Sequence, residues 1–238
     1  MKLSIIIPAF NEENTVKEIV EKVKKQKIPE FDKEIILVDD GSSDKTPQIL
    51  DEIGKQNPNI KVLRHPKNMG KGAAVKTGIE KSEGDYILIQ DADLEYDPKY
   101  IPLLTEPILK GEAKVVYGTR LNRFPHLGGE EKNPLFLMHF FGNRMLSLLT
   151  SLLYFSWVTD METCYKLFPK IALSGIRLRS RSFDFEPEIT SKLLKKGYRI
   201  KEVNITTKPR GYEEGKKLNT IRDGTIAFWT LFKYRFVD

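Results

Sequence analysis

Leu3-Ser4-Ile5-Ile6-Ile7-Pro8 opens the chain with an apolar, β-branched run of the kind that fills a strand buried on both faces. Pro8 lacks an N–H and is expected to end that strand. From Asn11 to Lys27 the period changes. Val16, Ile19, Val20 and Val23 recur at helical spacing behind Asn and Glu residues that suit a helix N-terminus. The alternation then repeats: strand Glu34–Val38, helix Thr46–Gln56, strand Ile60–Arg64, helix Lys71–Ser82, strand Tyr86–Gln90. This pattern predicts an α/β fold with a mostly parallel central sheet flanked by helices. Right-handed crossovers place every strand's C-terminal end on one edge, where open α/β sheets bind ligands.

Polar residues gather at those strand ends. Asn11 and Glu12 follow the first strand, Asp39 and Asp40 the second, Asp91 and Asp93 the fourth. In Asp91-Ala92-Asp93, two carboxylates two residues apart leave a buried strand together. Such hard oxygen donors suit Mg²⁺ or Mn²⁺, which bridges to a diphosphate and neutralises its charge as it leaves. Glu95 is a possible third ligand. Asp39, nearest its strand, is placed to bond a ribose hydroxyl or a base edge, whereas Asp44 suits a helix cap. Asn68-Met69-Gly70-Lys71-Gly72 has neither Walker nor dinucleotide-loop spacing, so its glycines are read as permitting a tight turn and a closely packed helix start. Lys71 is left as a candidate nucleotide contact.

The second half is less regular. It reads as helix Ile101–Leu109, strand Lys114–Tyr117 and a Gly/Pro-rich loop from Arg120 to Pro134, then an apolar stretch from Leu135 to Val158. Strand Cys164–Phe168, helix Glu186–Lys196, strand Arg199–Ile205, a basic loop Lys208–Lys217 and an aromatic-rich end complete it. Phe140, Phe141, Met145, Leu148, Leu149, Leu152 and Leu153 predict one apolar helical face, which either packs on the core or lies in a membrane interface. No linker or repeat divides the 238 residues, so one domain is expected, with a donor half at 1–118 and an acceptor half at 119–238.

The net charge of +6 favours anionic partners. No nucleic-acid-binding motif is present, so nucleic acid is not an expected partner. The single cysteine, Cys164, excludes an internal disulfide and a cysteine-based structural zinc site. The N-terminus has no long apolar region or small-residue cleavage site, and no run of about 18 apolar residues occurs. Neither a signal peptide nor a membrane span is therefore expected.

Ile5-Ile6-Ile7-Pro8-Ala9-Phe10-Asn11-Glu12, Val38-Asp39-Asp40-Gly41-Ser42-Ser43-Asp44, Asn68-Met69-Gly70-Lys71-Gly72 and Asp91-Ala92-Asp93-Leu94 stand in this order. Together they resemble the family 2 glycosyltransferases with the GT-A fold. Gly118-Thr119-Arg120, Thr159 to Lys166, Phe185-Glu186-Pro187-Glu188 and Arg210 to Lys217 resemble the branch containing dolichyl-phosphate mannose and glucose synthases. That resemblance implies an inverting transfer of a hexose from a nucleotide sugar, GDP-mannose or UDP-glucose, to a polyprenyl phosphate. It implies donor contacts from Pro8, Ala9, Phe10, Glu12, Asp39, Lys71, Asp91 and Ala92, and a metal site at Asp93 and Glu95 beside Asp91.

Arg120, Arg210 and Lys216 fall where donor and acceptor phosphates must coexist, and charge-assisted bonds from them would offset the repulsion. Asp91, Asp93, Arg120 and Asp160 form the expected catalytic set. Asp160 is the base if the acceptor is a glycan or protein hydroxyl; with a phosphate acceptor it is expected, with Glu188, to be structural or to orient the cationic groups. Peripheral contact through 135–158 at the cytoplasmic face of the cell membrane is the expected location. A non-catalytic nucleotide-sugar-binding protein is the remaining alternative.

Overall fold

The computed structural model describes residues 1–121, 134–208 and 220–237. Strands β1 (Lys2–Ala9), β2 (Asp32–Asp39), β3 (Ile60–Arg64) and β4 (Tyr86–Ile89) alternate with helices α1 (Val16–Lys25), α2 (Thr46–Gln56) and α3 (Lys71–Lys81). Helix α4 (Ile101–Leu109), β5 (Val115–Thr119), α5 (Pro134–Tyr154), β6 (Lys166–Pro169), α6 (Phe185–Lys195), β7 (Ile200–Asn204) and α7 (Thr220–Phe236) follow. The described strands form one sheet in the order β3-β2-β1-β4-β6-β5-β7.

Strand direction corrects one expectation. β1 to β4 run parallel, but β6 is antiparallel to both of its neighbours, β4 and β5, while β5 and β7 are parallel. The sheet is mostly parallel with a single reversed strand. That reversal brings the beginning of β6, rather than its end, to the edge where the other strands terminate. The segment before β6, Asp160 to Tyr165, is thereby delivered to the binding edge between the ends of β4 and β5.

Pro8 does not end β1. It pairs in register with Val38 of β2. The β4 ladder along β1 reaches only Ile6, and Gln90 N–H closes it on the Ile6 carbonyl. Pro8 faces that side one pleat further on, past the end of β4, so its missing donor breaks no ladder bond. Helix α1 likewise starts at Val16 rather than Asn11. Asn11 adopts a left-handed φ of 52°. Its backbone N–H donates to Ser42 Oγ (2.9 Å) and its side-chain oxygen accepts from Ser43 N–H (2.8 Å). Glu12 N–H donates to Thr46 Oγ1 at 2.8 Å. These cross-loop bonds outcompete the first helical turn and fasten the loop after β1 to the loop after β2.

The main core fills the sheet from Leu3 to Ile205 through the buried faces of α1 to α4 and α6. A second cluster, Leu146, Val158, Met161, Leu194, Ala227 and Leu231, joins α5, α6 and α7. Leu149 and Leu153 pack on it, whereas Phe141, Met145, Leu148 and Leu152 point outward. The single apolar face expected of α5 is thus two stripes, one packed and one exposed. The helix stops at Tyr154, before the expected Val158, because Phe155 turns the chain with φ 52°.

Gly41 shows how tightly the binding edge is drawn. Its φ is 72°, and a Cβ there would lie 2.3 Å from the Lys67 backbone carbon. Gly111 has a similar φ of 70° with open space around it. Gly111→Ala should cost about 1 kcal/mol of strain alone. Gly41→Ala should cost at least about 2–3 kcal/mol, because the loops must also separate. Urea denaturation of the two variants measures the difference; equal losses would show that the loop contact contributes nothing.

Candidate active site

A cleft of about 380 Å³ opens along this edge. The loop after β1 contributes Pro8, Ala9, Phe10 and Glu12, and the end of β2 contributes Asp40. The turn into α3 adds Asn68, Gly70 and Lys71, and the loop after β4 adds Asp91, Ala92, Asp93, Glu95 and Tyr96. From the second half come Arg120 after β5, Glu162 and Cys164 before β6, and Ser182, Phe183 and Glu186 at the start of α6. Most of the expected donor and catalytic residues therefore meet in one place.

Two expected residues stand just outside the lining. Asp39 is fully buried, accepts from Ser42 N–H at 3.0 Å and faces Arg64 Nε at 3.1 Å. Its neighbour Asp40 lines the cleft instead. Asp40 also accepts from Met69 N–H (2.9 Å) and Gly70 N–H (2.8 Å) and bonds His65 Nδ1 at 2.7 Å. It thereby holds the turn that presents Lys71. Asp160 is fully buried behind the cleft. Arg210 and Lys216 lie outside the described residues.

Ion pairs organise the floor. Lys71 Nζ lies 2.8 Å from Asp91 Oδ1 and 3.3 Å from Glu186 Oε1. Burial opposes the charge of this ammonium, but Asp91 foremost outweighs it and holds the pKa well above the usual lysine range. Asp160 receives Arg120 through two side-chain bonds, from Nε at 2.8 Å and Nη2 at 2.7 Å, and takes the Arg120 backbone N–H at 2.9 Å. The guanidinium also sits 5.6 Å from the centre of the Tyr96 ring. Lys166, fully buried, pairs with Glu186 at 2.9 Å and donates to the carbonyls of Met161 (2.9 Å) and Thr163. It braces the short segment that carries Glu162.

The loop after β4 is fixed from below. Tyr165 Oη donates to Gln90 Oε1 at 2.6 Å, and Gln90 Nε2 donates to the carbonyls of Asp91 and Tyr96. Tyr96 Oη accepts from Cys164 N–H at 3.1 Å. Asp93 Oδ1 takes the Glu95 backbone N–H at 3.1 Å. Glu188 does not reach the cleft: it accepts from the N–H groups of Arg179 and Ser180 and pairs with Lys192 at 2.8 Å, anchoring the chain before α6.

The expected metal ligands Asp91, Asp93 and Glu95 do not form a closed set. Among the described residues no three His, Cys, Asp or Glu side chains converge into a cage. Asp91 is drawn toward Lys71, and Asp93 turns back on the Glu95 amide. Asp91, Asp93 and Glu95 nonetheless share one wall of the cleft. Carboxylate oxygens in that setting fit a Mg²⁺-type ion, which is usually held by one or two carboxylates plus substrate phosphates.

Tyr96, Glu162, Cys164 and Glu186 were not assigned roles from sequence. Glu162 and Glu186 belong to the quoted motifs, so the available signal was an acid within a recognised segment. Glu162 is unusual. Its Oε1 is buried and has no hydrogen-bond partner. Burial pushes its carboxyl up to about 8, Lys166 and Arg120 pulling against the repulsion of Glu186 and Asp160.

The fold, a mostly parallel seven-stranded sheet flanked by helices, matches GT-A glycosyltransferase structures. Glucosyl-3-phosphoglycerate synthase from Mycobacterium tuberculosis, in complex with UDP, superposes over 100% of this chain and 81% of its own, with a TM-score of 0.72 at 18% identity. The same enzyme with Mn²⁺, UDP and phosphoglyceric acid gives 0.69 at 19% identity, over 100% of this chain and 79% of its own. The chain belongs to glycosyl transferase family 2, whose model matches residues 4–175, and it is a glycosyltransferase.

Among curated proteins, an uncharacterized protein of Methanocaldococcus jannaschii is 30% identical over 95% of this chain and 90% of its own length. A dolichyl-phosphate beta-glucosyltransferase of Trichomonas vaginalis is 33% identical over 78% of this chain and 58% of its own. A dolichol-phosphate mannosyltransferase of Pyrococcus furiosus is 34% identical over 56% of this chain and 36% of its own. The chain thus spans little more than half of the second relative and about a third of the last.

Glu162 makes stability pH-dependent in a defined direction. Below about pH 4.5 the acid is protonated in both folded and unfolded chains. Between about 4.5 and 8 the unfolded chain ionises while the folded one keeps its proton, so folding is penalised increasingly as pH rises. Above that range the penalty is constant. Glu162→Gln should therefore gain stability over wild type progressively across this window and not at pH 4. Urea midpoints at a series of pH values test this; a gap independent of pH would refute the assignment.

Proposed function

We propose that this glycosyltransferase moves a hexose from a nucleoside-diphosphate sugar, UDP-glucose or GDP-mannose, to a polyprenyl phosphate, with inversion at the anomeric carbon. The observation that carries the reading is the placement of Arg120. It lines the same cleft as Asp91, Asp93 and Glu95, beside the Tyr96 ring and locked by Asp160, as a fixed cation for a second phosphate beside the donor. The dolichyl-phosphate and dolichol-phosphate relatives agree with that acceptor class.

In this reading Pro8, Ala9, Phe10 and Glu12 bound the nucleoside, with Asp39 supporting the wall from behind and Asp40 lining it. Lys71 and the N-terminus of α3 face the diphosphate. Asp93, Asp91 and Glu95 would hold Mg²⁺ or Mn²⁺, which supplies charge neutralisation at the leaving diphosphate. Arg120, with Arg210 and Lys216, meets the acceptor phosphate. An acceptor phosphate oxygen forms the new bond to the anomeric carbon as the bond to the donor diphosphate breaks. The nucleoside diphosphate leaves with the electron pair. A phosphomonoester is already ionised near neutral pH, so no base is required, and catalysis rests on alignment and electrostatics. Asp160, buried and gripped on both oxygens by Arg120, is badly placed to serve a hydroxyl acceptor as base.

A lipid acceptor suits the outer stripe of α5. Among the described residues no helix is long and apolar enough to cross a membrane. Phe141, Met145, Leu148 and Leu152 are nevertheless exposed, followed by Phe155 (87%) and Trp157 (71%), with Trp229 (65%) on α7. Helix α5 is tied to α7 by Tyr154 Oη donating to the Leu231 carbonyl at 2.8 Å. It is tied to the Arg120 lip by Arg144 donating to the Leu121 carbonyl at 2.5 Å. An apolar surface of this kind can lie at the headgroup boundary beside the reaction centre, as peripheral contact at the cytoplasmic membrane face.

Chelation with EDTA should abolish transfer and Mn²⁺ or Mg²⁺ should restore it, while Asp93→Ala should lower kcat by about 100-fold or more. The assay is release of nucleoside diphosphate from UDP-glucose and GDP-mannose, with labelled sugar recovered in the organic phase when polyprenyl phosphate is supplied. Sugar appearing only on water-soluble acceptors would sink the lipid assignment. Replacing Leu152 and Trp157 by Glu should abolish co-sedimentation with anionic phospholipid vesicles while leaving the melting temperature unchanged, since both side chains are already in water. Undiminished sedimentation would remove α5 from the membrane.

A further inference from the structure

Glu162 is a cleft residue for which the scheme above has no task. Its surroundings narrow what it can meet. Every neighbouring charge has a closer partner: Arg120 is taken by Asp160, and Lys166 by Glu186. Its Oε1 is shut off from bulk water by the protein and bonded to nothing in it. A buried polar atom left unsatisfied is costly in a folded protein, and such atoms in native structures have a reason to persist. Here the atom belongs to a side chain that is itself partly exposed and lines the cleft, so a turn of the carboxyl brings it to an incoming ligand that supplies the missing partner.

Topology states which part of the ligand that is. The sheet order places β6 between β4 and β5. Because β6 is reversed, Glu162 arrives between the Asp91–Glu95 loop at the end of β4 and Arg120 at the end of β5. On the proposed reading these two flanks hold the donor diphosphate and the acceptor phosphate. The group between two phosphates that exchange a sugar is the sugar itself. A carboxyl is a poor partner for phosphate in either protonation state compared with Arg120 and Lys71 nearby, but it is a good one for a hydroxyl. Held largely protonated at neutral pH, it can both donate and accept.

We infer that Glu162 hydrogen-bonds a hydroxyl of the transferred hexose and is a determinant of donor-sugar selection. The inference rests on the nucleotide-sugar reading above. A site that pairs a buried polar group with a substrate hydroxyl discriminates strongly against a sugar that lacks or misplaces it, because the group is then left buried and alone.

The experiment compares wild type, Glu162→Gln and Glu162→Ala with UDP-glucose, GDP-mannose and monodeoxy analogues in which each ring hydroxyl is removed in turn. Glu162→Ala should lower kcat/KM for the preferred donor by about 10- to 100-fold. Affinity for the free nucleoside diphosphate, measured by calorimetry, should not change. Glu162→Gln, which mimics the protonated acid, should recover most of the loss. One monodeoxy donor should be used equally by wild type and Glu162→Ala, identifying the hydroxyl read.

If no deoxy donor removes the difference, or if Glu162→Ala weakens nucleoside diphosphate binding as much as donor binding, the assignment to sugar is overturned. A wild-type protein that binds neither donor would overturn the parent reading, and this one with it. Normal wild-type turnover with an indifferent Glu162→Ala overturns this one alone.

Discussion

Burying several carboxylates side by side is affordable only if each finds a counter-charge or keeps its proton, and that constraint shapes the whole binding edge. Asp91, Asp160 and Glu186 are matched by Lys71, Arg120 and Lys166. Each pair joins different parts of the fold: the turn into α3 with the loop after β4, the end of β5 with the segment before β6, and β6 itself with α6. The pairs therefore do more than satisfy charge. They fix the relative placement of the loops that line the cleft. Glu162 is left over, and its raised pKa is the same constraint expressed as retained protonation.

The reversed strand gives those pairs their geometry. Had β6 run parallel to β4, its beginning and everything before it would have emerged at the opposite edge. Asp160, Glu162 and Cys164 would then be a strand's length from Asp91. Lys166 is the hinge of this arrangement: fully buried within β6, it faces Glu186 of α6 while holding the carbonyls of Met161 and Thr163. A lysine in the middle of a sheet would ordinarily be a liability. Here it anchors a strand that must begin at the site.

Much of the first half was legible because its signals are local. Apolar runs and helical spacing place β2, α2, β3, α3 and α4 with almost the observed limits, and the acids after β4 announce themselves. Errors arose where distant partners override local preference. Pro8 continues β1 because β4 has already ended beside it. Asn11 leaves the helix because Ser42 and Ser43 compete for its bonds. The direction of β6 was invisible for a similar reason: strand polarity depends on the path of the preceding chain, which periodicity does not report. Asp39 and Asp40 illustrate the limit within a site. They are adjacent and chemically identical, and only the twist of the strand end decides which one lines the cleft.

On the proposed reading, the same balance of charge suits the cleft to a reaction between phosphates. Asp93 and Glu95 add negative charge to a wall already holding Asp91, so a donor diphosphate entering without a cation would meet net repulsion. On the proposed reading the divalent ion travels with the donor for that reason, and no all-carboxylate cage has to exist beforehand. On that reading Lys71 is poised for the exchange, since its ammonium already sits between two carboxylates and would turn part of its charge to the diphosphate without leaving them. Arg120 differs in kind. Its guanidinium is bound edge-on to Asp160, which fixes its direction and leaves its remaining donors to face a ligand. On the proposed reading one cation is shared between protein and donor and the other is held rigid for the acceptor, so the two phosphates meet different electrostatic partners within one cleft, with Glu162 between them.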